Sequence, residues 1–383
     1  MLRRIFFWLH LTAGVLAGAV ILVMCVTGVL LTYEKDVVAW ADTRHFSVAA
    51  TPGPRLAIDE LVARARAGRP DRPASVTVRA DPAKPTDVGF GAAGTLFLDP
   101  YTGAVLGREN QQVRAFFRSV TDWHRWLARP QSSRTTARAI TGASNLVFLF
   151  ILLSGIYLWI PRVWTRVQFR NVTLFRRGLS AKARDFNWHN VAGIWASIPL
   201  VVIVVSGAVI SYPWVGDHVY RMAGEAPPAR RAAGAAAAPA PAPRQNPFNG
   251  SLEAIFQTAK AHRPDWKSIS MRIAVAPDGS IPVSIDAGRG GQPQMRGTLT
   301  VDRATAAPLK YEDFASMSAG RRARSWMRFA HTGEVYGWIG QTAAGLASLA
   351  GALLVWTGMA MALRRLFAQL RRRGSAESLR PAA

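Results

Sequence analysis

Apolar residues run without a charged residue through four stretches, about Ile5 to Tyr33, Ala139 to Ile160, Val191 to Tyr212 and Val335 to Leu363. Each is long enough to cross a hydrocarbon core of about 30 Å, so the pattern predicts four transmembrane helices. Between them lie two polar segments of domain size, near 34–135 and 213–330. Inside the first, Ile58, Leu61, Val62 and Ala65 recur at i, i+3, i+4 and i+7, which predicts an amphipathic helix. Alternation in Ser75–Arg79 and Thr95–Leu98 predicts half-buried strands. The expected architecture is an α-helical membrane protein: a four-helix bundle carrying two outer α+β domains, each a helix on a small antiparallel sheet.

The boundaries follow: helix 1 over 1–34, an outer domain over 35–135, helix 2 over 136–161, a loop over 162–187 and helix 3 over 188–213. A second outer domain over 214–330, helix 4 over 331–365 and a tail over 366–383 complete the chain. From Glu225 to Gln245 the composition turns to Ala, Pro and Arg, which reads as a linker that buries no core.

Half of the 383 residues are apolar and mean hydropathy is +0.10, which fits a mixture of spans and water-exposed segments. The net charge of +24 comes almost entirely from arginine. With spans present and no nucleic-acid recognition module, this points to membrane lipid headgroups or acidic small molecules and away from nucleic acid. Arg162, Arg166, Arg170, Arg176, Arg177, Lys182 and Arg184 face one acid, Asp185, between the second and third spans. Arg364, Arg365, Arg371, Arg372, Arg373 and Arg380 follow the fourth. By the positive-inside rule these flanks, and with them both termini, belong in the cytoplasm. The first span is not expected to be a cleaved signal, because the third shares its internal pattern. The single cysteine, Cys25, lies within a span, so metal chemistry must come from histidine, carboxylate or a cofactor.

The shared pattern is an internal repeat. His10 is followed by Gly14, Thr27-Gly28 and Tyr33, and His189 by Gly193, Ser206-Gly207 and Tyr212, at the same spacings of 4, 18 and 23. Ala67 to Asp71 corresponds to Ala261 to Asp265, and the segment from Gly94 to that from Gly297. Each half then enters its second span through a histidine, His124 or His331, and that span holds Ser154-Gly155 or Thr357-Gly358. Parallel repeats are related by an axis along the membrane normal, so His10 is expected to face His189 near the cytoplasmic surface and His124 to face His331 near the outer one.

Two imidazoles facing each other across a bundle can clamp a haem iron from both sides, favouring electron transfer over oxygen binding. Gly14, Gly18, Gly28, Gly193 and Gly207 would admit a flat macrocycle or a neighbouring helix, and Arg3, Arg4, Arg125 and Arg328 could neutralise its propionates. Zinc would be short of ligands with two histidines per level. His45 and His218, beside Asp42 and Asp217, are reserve ligands for the outer site, and His262 is expected on the surface.

The HxxxG openings of the first and third spans, the segment from Leu98 to Leu106, and the WHRWL and HTG approaches to the second and fourth resemble the PepSY-associated transmembrane proteins. Within that family the chain is most similar to the ferric-siderophore reductases of the Gram-negative inner membrane. The resemblance implies two periplasmic PepSY-like domains and two b-type haems on His10/His189 and His124/His331. It implies reduction of an Fe(III)-siderophore in the periplasm, with electrons from a cytoplasmic or quinol donor. Substrate would meet a basic, aromatic outer surface holding Arg114, Arg118, Arg125, Trp126, Arg321, Arg322, Arg324, Trp326 and Arg328, foremost Arg125, Trp126, Arg324 and Arg328; the same residues read equally well as a headgroup belt. Two other readings stay open: a non-enzymatic module that restrains a periplasmic protease, and a haem carrier serving another quinol- or sulfur-linked substrate.

Overall fold

The computed structural model describes residues 1–49, 53–161, 163, 165–229, 250–273, 276 and 278–378. Arg162, Arg380 and the linker from residue 230 to Gln245 lie outside the described residues. The chain runs through helices α1 (Leu2–Leu31), α2 (Glu34–Thr43) and α3 (Ile58–Arg66), strands β1 (Ser75–Arg79), β2 (Thr86–Gly89), β3 (Thr95–Leu98) and β4 (Val105–Arg108), then α4 (Gln111–Trp126) and α5 (Arg134–Trp159). After α6 (Arg166–Thr173) the order recurs: α7 (Ala181–Ser211), α8 (Pro213–Met222), α9 (Leu252–His262), β5 (Ser268–Arg272), β6 (Ser280–Asp286), β7 (Arg296–Asp302), β8 (Pro308–Asp313), α10 (Ala319–His331) and α11 (Gly337–Ser378). These elements form two compact units, one holding the four long helices and one the strands.

In the helical unit α1 and α7 each pack against both α5 and α11, so that α1 and α7 lie across one diagonal. Among the described residues four stretches are long and apolar enough to cross a membrane, with mean hydropathy from 1.8 to 2.6. Their outward faces are apolar: Leu16, Ile198, Leu346 and Trp356 are 79, 78, 62 and 66 % exposed, as lipid-facing side chains are. Inside, Ala17, Ile21, Cys25, Phe148, Leu152, Leu200 and Val204 interdigitate as a close-packed plug. Two helices, α7 and α11, outrun the apolar runs that announced them by ten residues or more. α7 starts at Ala181, capped by the Ser180 hydroxyl, which accepts from Ala183 N. α11 continues through the arginine-rich tail, because a charged run of good helix formers need not break a helix. The expected loop between spans two and three holds α6, tied to α7 by Trp195 Nε1 donating to Thr173 O at 2.9 Å.

The strand-bearing unit corrects one expectation. Instead of two domains with a sheet each, both outer segments feed one eight-stranded antiparallel sheet of order β4-β3-β2-β1-β5-β6-β7-β8. The central β1–β5 pairing has Ser75 opposite Arg272 and Arg79 opposite Ser268, and it centres on Thr77 and Ser270, whose hydroxyls lie 2.7 Å apart. That register is symmetric about its midpoint. The helices repeat the reciprocity: Asp59 of α3 accepts from Leu252 N and Glu253 N at the start of α9, and Glu253 accepts from Ile58 N at the start of α3. Val76, Val78, Ile269, Met271, Ile281 and Leu299 turn their alternating side chains onto α3 and α9, and this is the unit's core.

Candidate functional site

The four repeat-related histidines meet in pairs within the helical unit. His10 on α1 and His189 on α7 have ring centroids 6.5 Å apart, with planes at 83°. His124 near the end of α4 and His331 at the end of α10 are 6.3 Å apart, at 63°. Seventeen residues of α1 separate His10 from Thr27, which touches His124, so the two levels stand about 25 Å apart along the helix. The apolar plug fills the space between.

Each ring is held the same way. His10 Nδ1 lies 2.9 Å from Ser154 Oγ, His189 Nδ1 2.9 Å from Thr357 Oγ1, His124 Nδ1 2.9 Å from Thr27 Oγ1, and His331 Nδ1 3.3 Å from Ser206 Oγ. A glycine follows each hydroxyl residue, and at Gly155, Gly358 and Gly207 a Cβ would come within 3.3 Å of the ring's Cε1. The [ST]-G pair is therefore a seat for an imidazole. The inner histidines sit on seats from α5 and α11, the outer ones on seats from α1 and α7. With Nδ1 taken up by the seat, Nε2 is the nitrogen left for a ligand, since among the described residues all hydrogen bonds of these rings run through Nδ1.

A cavity of about 1420 Å³ opens beside the inner pair. Gly14 and Gly193, one turn after His10 and His189, line it. A Cβ at Gly14 would meet nothing within 4 Å and one at Gly193 only Leu354 at 3.6 Å. The HxxxG spacing thus leaves room one turn along from each of these two rings. The walls are apolar, with Leu11, Ile21, Phe148 and Leu354, while Arg3, Arg4, Lys182, Arg364 and Arg365 bring positive charge to one end. Arg3 donates to the carbonyls of Leu158 and Ile160 at the end of α5, Arg364 pairs with buried Asp185 at 2.6 Å, and Arg365 lies over Trp8 at 4.6 Å.

The donor set fits an iron macrocycle. A metal–imidazole bond of about 2 Å, plus about 1.1 Å from nitrogen to ring centre on each side, would place two imidazoles sharing one iron about 6.2 Å apart, close to both observed separations. Among the described residues no three His, Cys, Asp or Glu side chains converge on one point, so each level offers two imidazoles, and the inner level a cavity beside them.

Other expected site residues are more scattered. Arg125, Trp126 and Arg328 belong to the helical unit and Arg324 to the strand-bearing unit. Trp126 carries the guanidinium groups of Arg125 at 4.7 Å and Arg134 at 4.0 Å over its ring. Arg114 pairs with Asp42 and Glu109, and Arg321 with Glu312. Arg118, Arg322, Arg324 and Arg328 are exposed. His45 accepts from Arg44 Nε at 2.9 Å, and exposed His218 lies on α8, both in the strand-bearing unit. His262 is exposed and lies against Tyr311, with centroids 4.3 Å apart.

Sequence reasoning missed Asn145 and Ser348, polar residues in the second and fourth spans. They approach the outer seats: a Cβ at Gly207 would meet Asn145 Oδ1 at 3.2 Å, and one at Gly28 would meet Ser348 Oγ at 3.3 Å. Their signal was present, since polar side chains in an apolar span are costly without a partner.

No curated protein is similar enough to be matched to this chain. The sequence profile of the PepSY-associated TM region matches residues 7–365, nearly the whole chain. The protein is a membrane protein of the PepSY-associated transmembrane family.

Proposed function

We propose that the chain is a di-haem reductase of the Gram-negative inner membrane, passing electrons from the cytoplasmic side to an Fe(III)-siderophore in the periplasm and releasing Fe(II). The observation that carries this reading is the doubling of one arrangement: facing imidazoles 6.5 and 6.3 Å apart, each seated through Nδ1 so that Nε2 is left over. A haem bound at each level supplies a one-electron Fe(III)/Fe(II) couple. Around it the chain has three tasks. His10 with His189, and His124 with His331, would hold the iron between two imidazoles, which would disfavour oxygen binding. The plug of Ile21, Cys25, Phe148 and Leu200 keeps water and ions out of the middle of the bundle. Arg3, Arg4 and Lys182 provide counter-charges for carboxylates at the inner mouth.

Reduction suits the substrate because siderophore oxygen donors hold the small, highly charged Fe(III) far more tightly than Fe(II), so one added electron loosens the complex. No acid–base residues are required. Exposed Arg125 and Arg328, next to the outer histidines in sequence, offer positive charge to an anionic chelate. The density of basic residues around α6 and along the end of α11 supports a cytoplasmic location for that side.

The test is an absorption spectrum of the purified chain, reduced with dithionite and mixed anaerobically with ferric siderophores. A low-spin b-type spectrum that reoxidises on mixing is expected. A colourless protein favours the protease-restraining module instead, and a red protein indifferent to ferric chelates favours a carrier for another substrate.

A further inference from the structure

Whether a histidine offers Nε2 or Nδ1 to a ligand depends on where its one ring proton sits, and here proton counting decides it. Ser154 Oγ donates to Phe150 O at 2.7 Å, Thr357 Oγ1 to Leu353 O at 2.7 Å, Thr27 Oγ1 to Val23 O at 2.6 Å and Ser206 Oγ to Val202 O at 2.6 Å. A hydroxyl has a single hydrogen, and when that hydrogen goes to the carbonyl one turn back the oxygen accepts from the imidazole. In that arrangement Nδ1 carries the proton and Nε2 the lone pair, and at His331 the Ile203 carbonyl, which can only accept, requires it.

We propose that Thr27, Ser154, Ser206 and Thr357 are positioning residues that lock the four imidazoles as Nε2 ligands and set the redox potentials of the two centres. This rests on the haem reading above. An Nδ1–H held by an acceptor shifts electron density toward Nε2, raises ligand basicity and stabilises Fe(III) over Fe(II). The acceptor is itself polarised by its bond to the helix carbonyl, which strengthens the effect.

The four seats are not equal. His331 Nδ1 lies 2.9 Å from the carbonyl of Ile203 and 3.3 Å from Ser206 Oγ, so its main acceptor is backbone. At the other three rings the seat hydroxyl stands closer, at 2.9 Å, and backbone hydrogen bonds to Ile151, Met24 and Leu354 accompany it. A backbone acceptor survives any side-chain change. The hydroxyl of Ser206 is thus the one the protein can lose most cheaply.

The experiment is potentiometric titration of the purified full-length chain, with haem retention measured against an excess of a haem-scavenging apoprotein. Thr357→Val and Ser154→Ala should raise the potential of the inner centre alone, Thr27→Val that of the outer centre alone, and each should weaken haem retention by about 10- to 100-fold. Ser206→Ala should move the outer potential least. Thr357→Ser, Thr27→Ser and Ser154→Thr keep the hydroxyl and should behave as wild type. A colourless wild-type chain would sink the haem reading and this inference with it. A red wild-type chain whose Thr357→Val and Thr27→Val variants titrate unchanged overturns the inference alone, as does pigment loss in Thr357→Ser equal to that in Thr357→Val.

Discussion

The inner and outer histidine pairs use the same seat but are brought to it by different means. His10 and His189 lie within long spanning helices, and the geometry of their site follows from how α1 and α7 pack on α5 and α11. His124 and His331 lie at or next to the ends of α4 and α10, just before the chain turns into the next span. The turn after His124 puts Leu127 and Ala128 in the left-handed region, at φ 50° and 53°, and Gly333 at φ 75° follows His331. Two non-glycine residues there cost about 1–2 kcal/mol each, strain that the surrounding packing must offset. The surroundings differ too: a large apolar cavity with a basic mouth at the inner pair, Asn145 and Ser348 at the outer pair. A histidine fixed by helix packing and one fixed by a strained turn therefore converge on nearly the same ring separation.

The sharpest way to break the comparison is to remove ligands. His10→Ala or His189→Ala should abolish the inner centre and leave the outer, halving haem per chain. His124→Ala or His331→Ala should do the converse. Pigment content with the spectrum of what remains reads this directly, and loss of both centres from every single change would defeat the two-level assignment.

Next in size is filling the slot. Gly14→Leu or Gly193→Leu projects a side chain into the inner cavity, and overpacking of about 1–3 kcal/mol corresponds to a loss of inner-haem affinity of about 5- to 150-fold. The outer centre should keep its spectrum. If both centres fade together, the slot is not specific to the inner pair.

A smaller effect is expected at Asp185, whose buried carboxylate joins Arg184 on α7 to Arg364 on α11. Both partners are half-exposed and so partly screened, and Asp185→Ala should cost about 1–2 kcal/mol. The melting temperature in detergent should fall, with the inner centre released before the outer on heating.

The smallest effect serves as the control outside both sites. Burial pushes the Asp59 carboxyl up, but hydrogen bonds from Ser251, Glu253 N and Leu252 N, with Arg303 nearby, outweigh it and hold it below the ordinary aspartate range. A lowered carboxyl contributes stability above its unfolded value of about 3.9 and loses it as pH falls through the folded value. Asp59→Asn should flatten that acid loss, cost about 1 kcal/mol at neutral pH and leave both haem spectra unchanged. Hydrogen exchange of the sheet amides from pH 7 downward measures it.

The spans were legible because lipid imposes a length and a composition that no other solvent does. Pairing His10 with His189 and His124 with His331 was legible because the two halves repeat their spacings. The seats were half-legible: Thr27-Gly28, Ser154-Gly155, Ser206-Gly207 and Thr357-Gly358 stood out as pairs of small residues, yet which ring each one meets is a fact of tertiary packing, separated by up to 168 positions in sequence. Fusion of the outer segments into one sheet was not legible at all. The strands that join, Ser75–Arg79 and Ser268–Arg272, each look complete as part of a local meander, and alternation says nothing about a partner across 193 residues.

That symmetric central register has a bearing on how the molecule can be divided. A strand edge that pairs antiparallel with its own counterpart is the joint by which identical subunits associate isologously, and here one polypeptide makes it with itself. Since His10 and His124 come from the first half and His189 and His331 from the second, a fragment ending after α6 would hold one imidazole of each couple and an uncovered β1. Only a second copy could restore the missing partner of either imidazole pair.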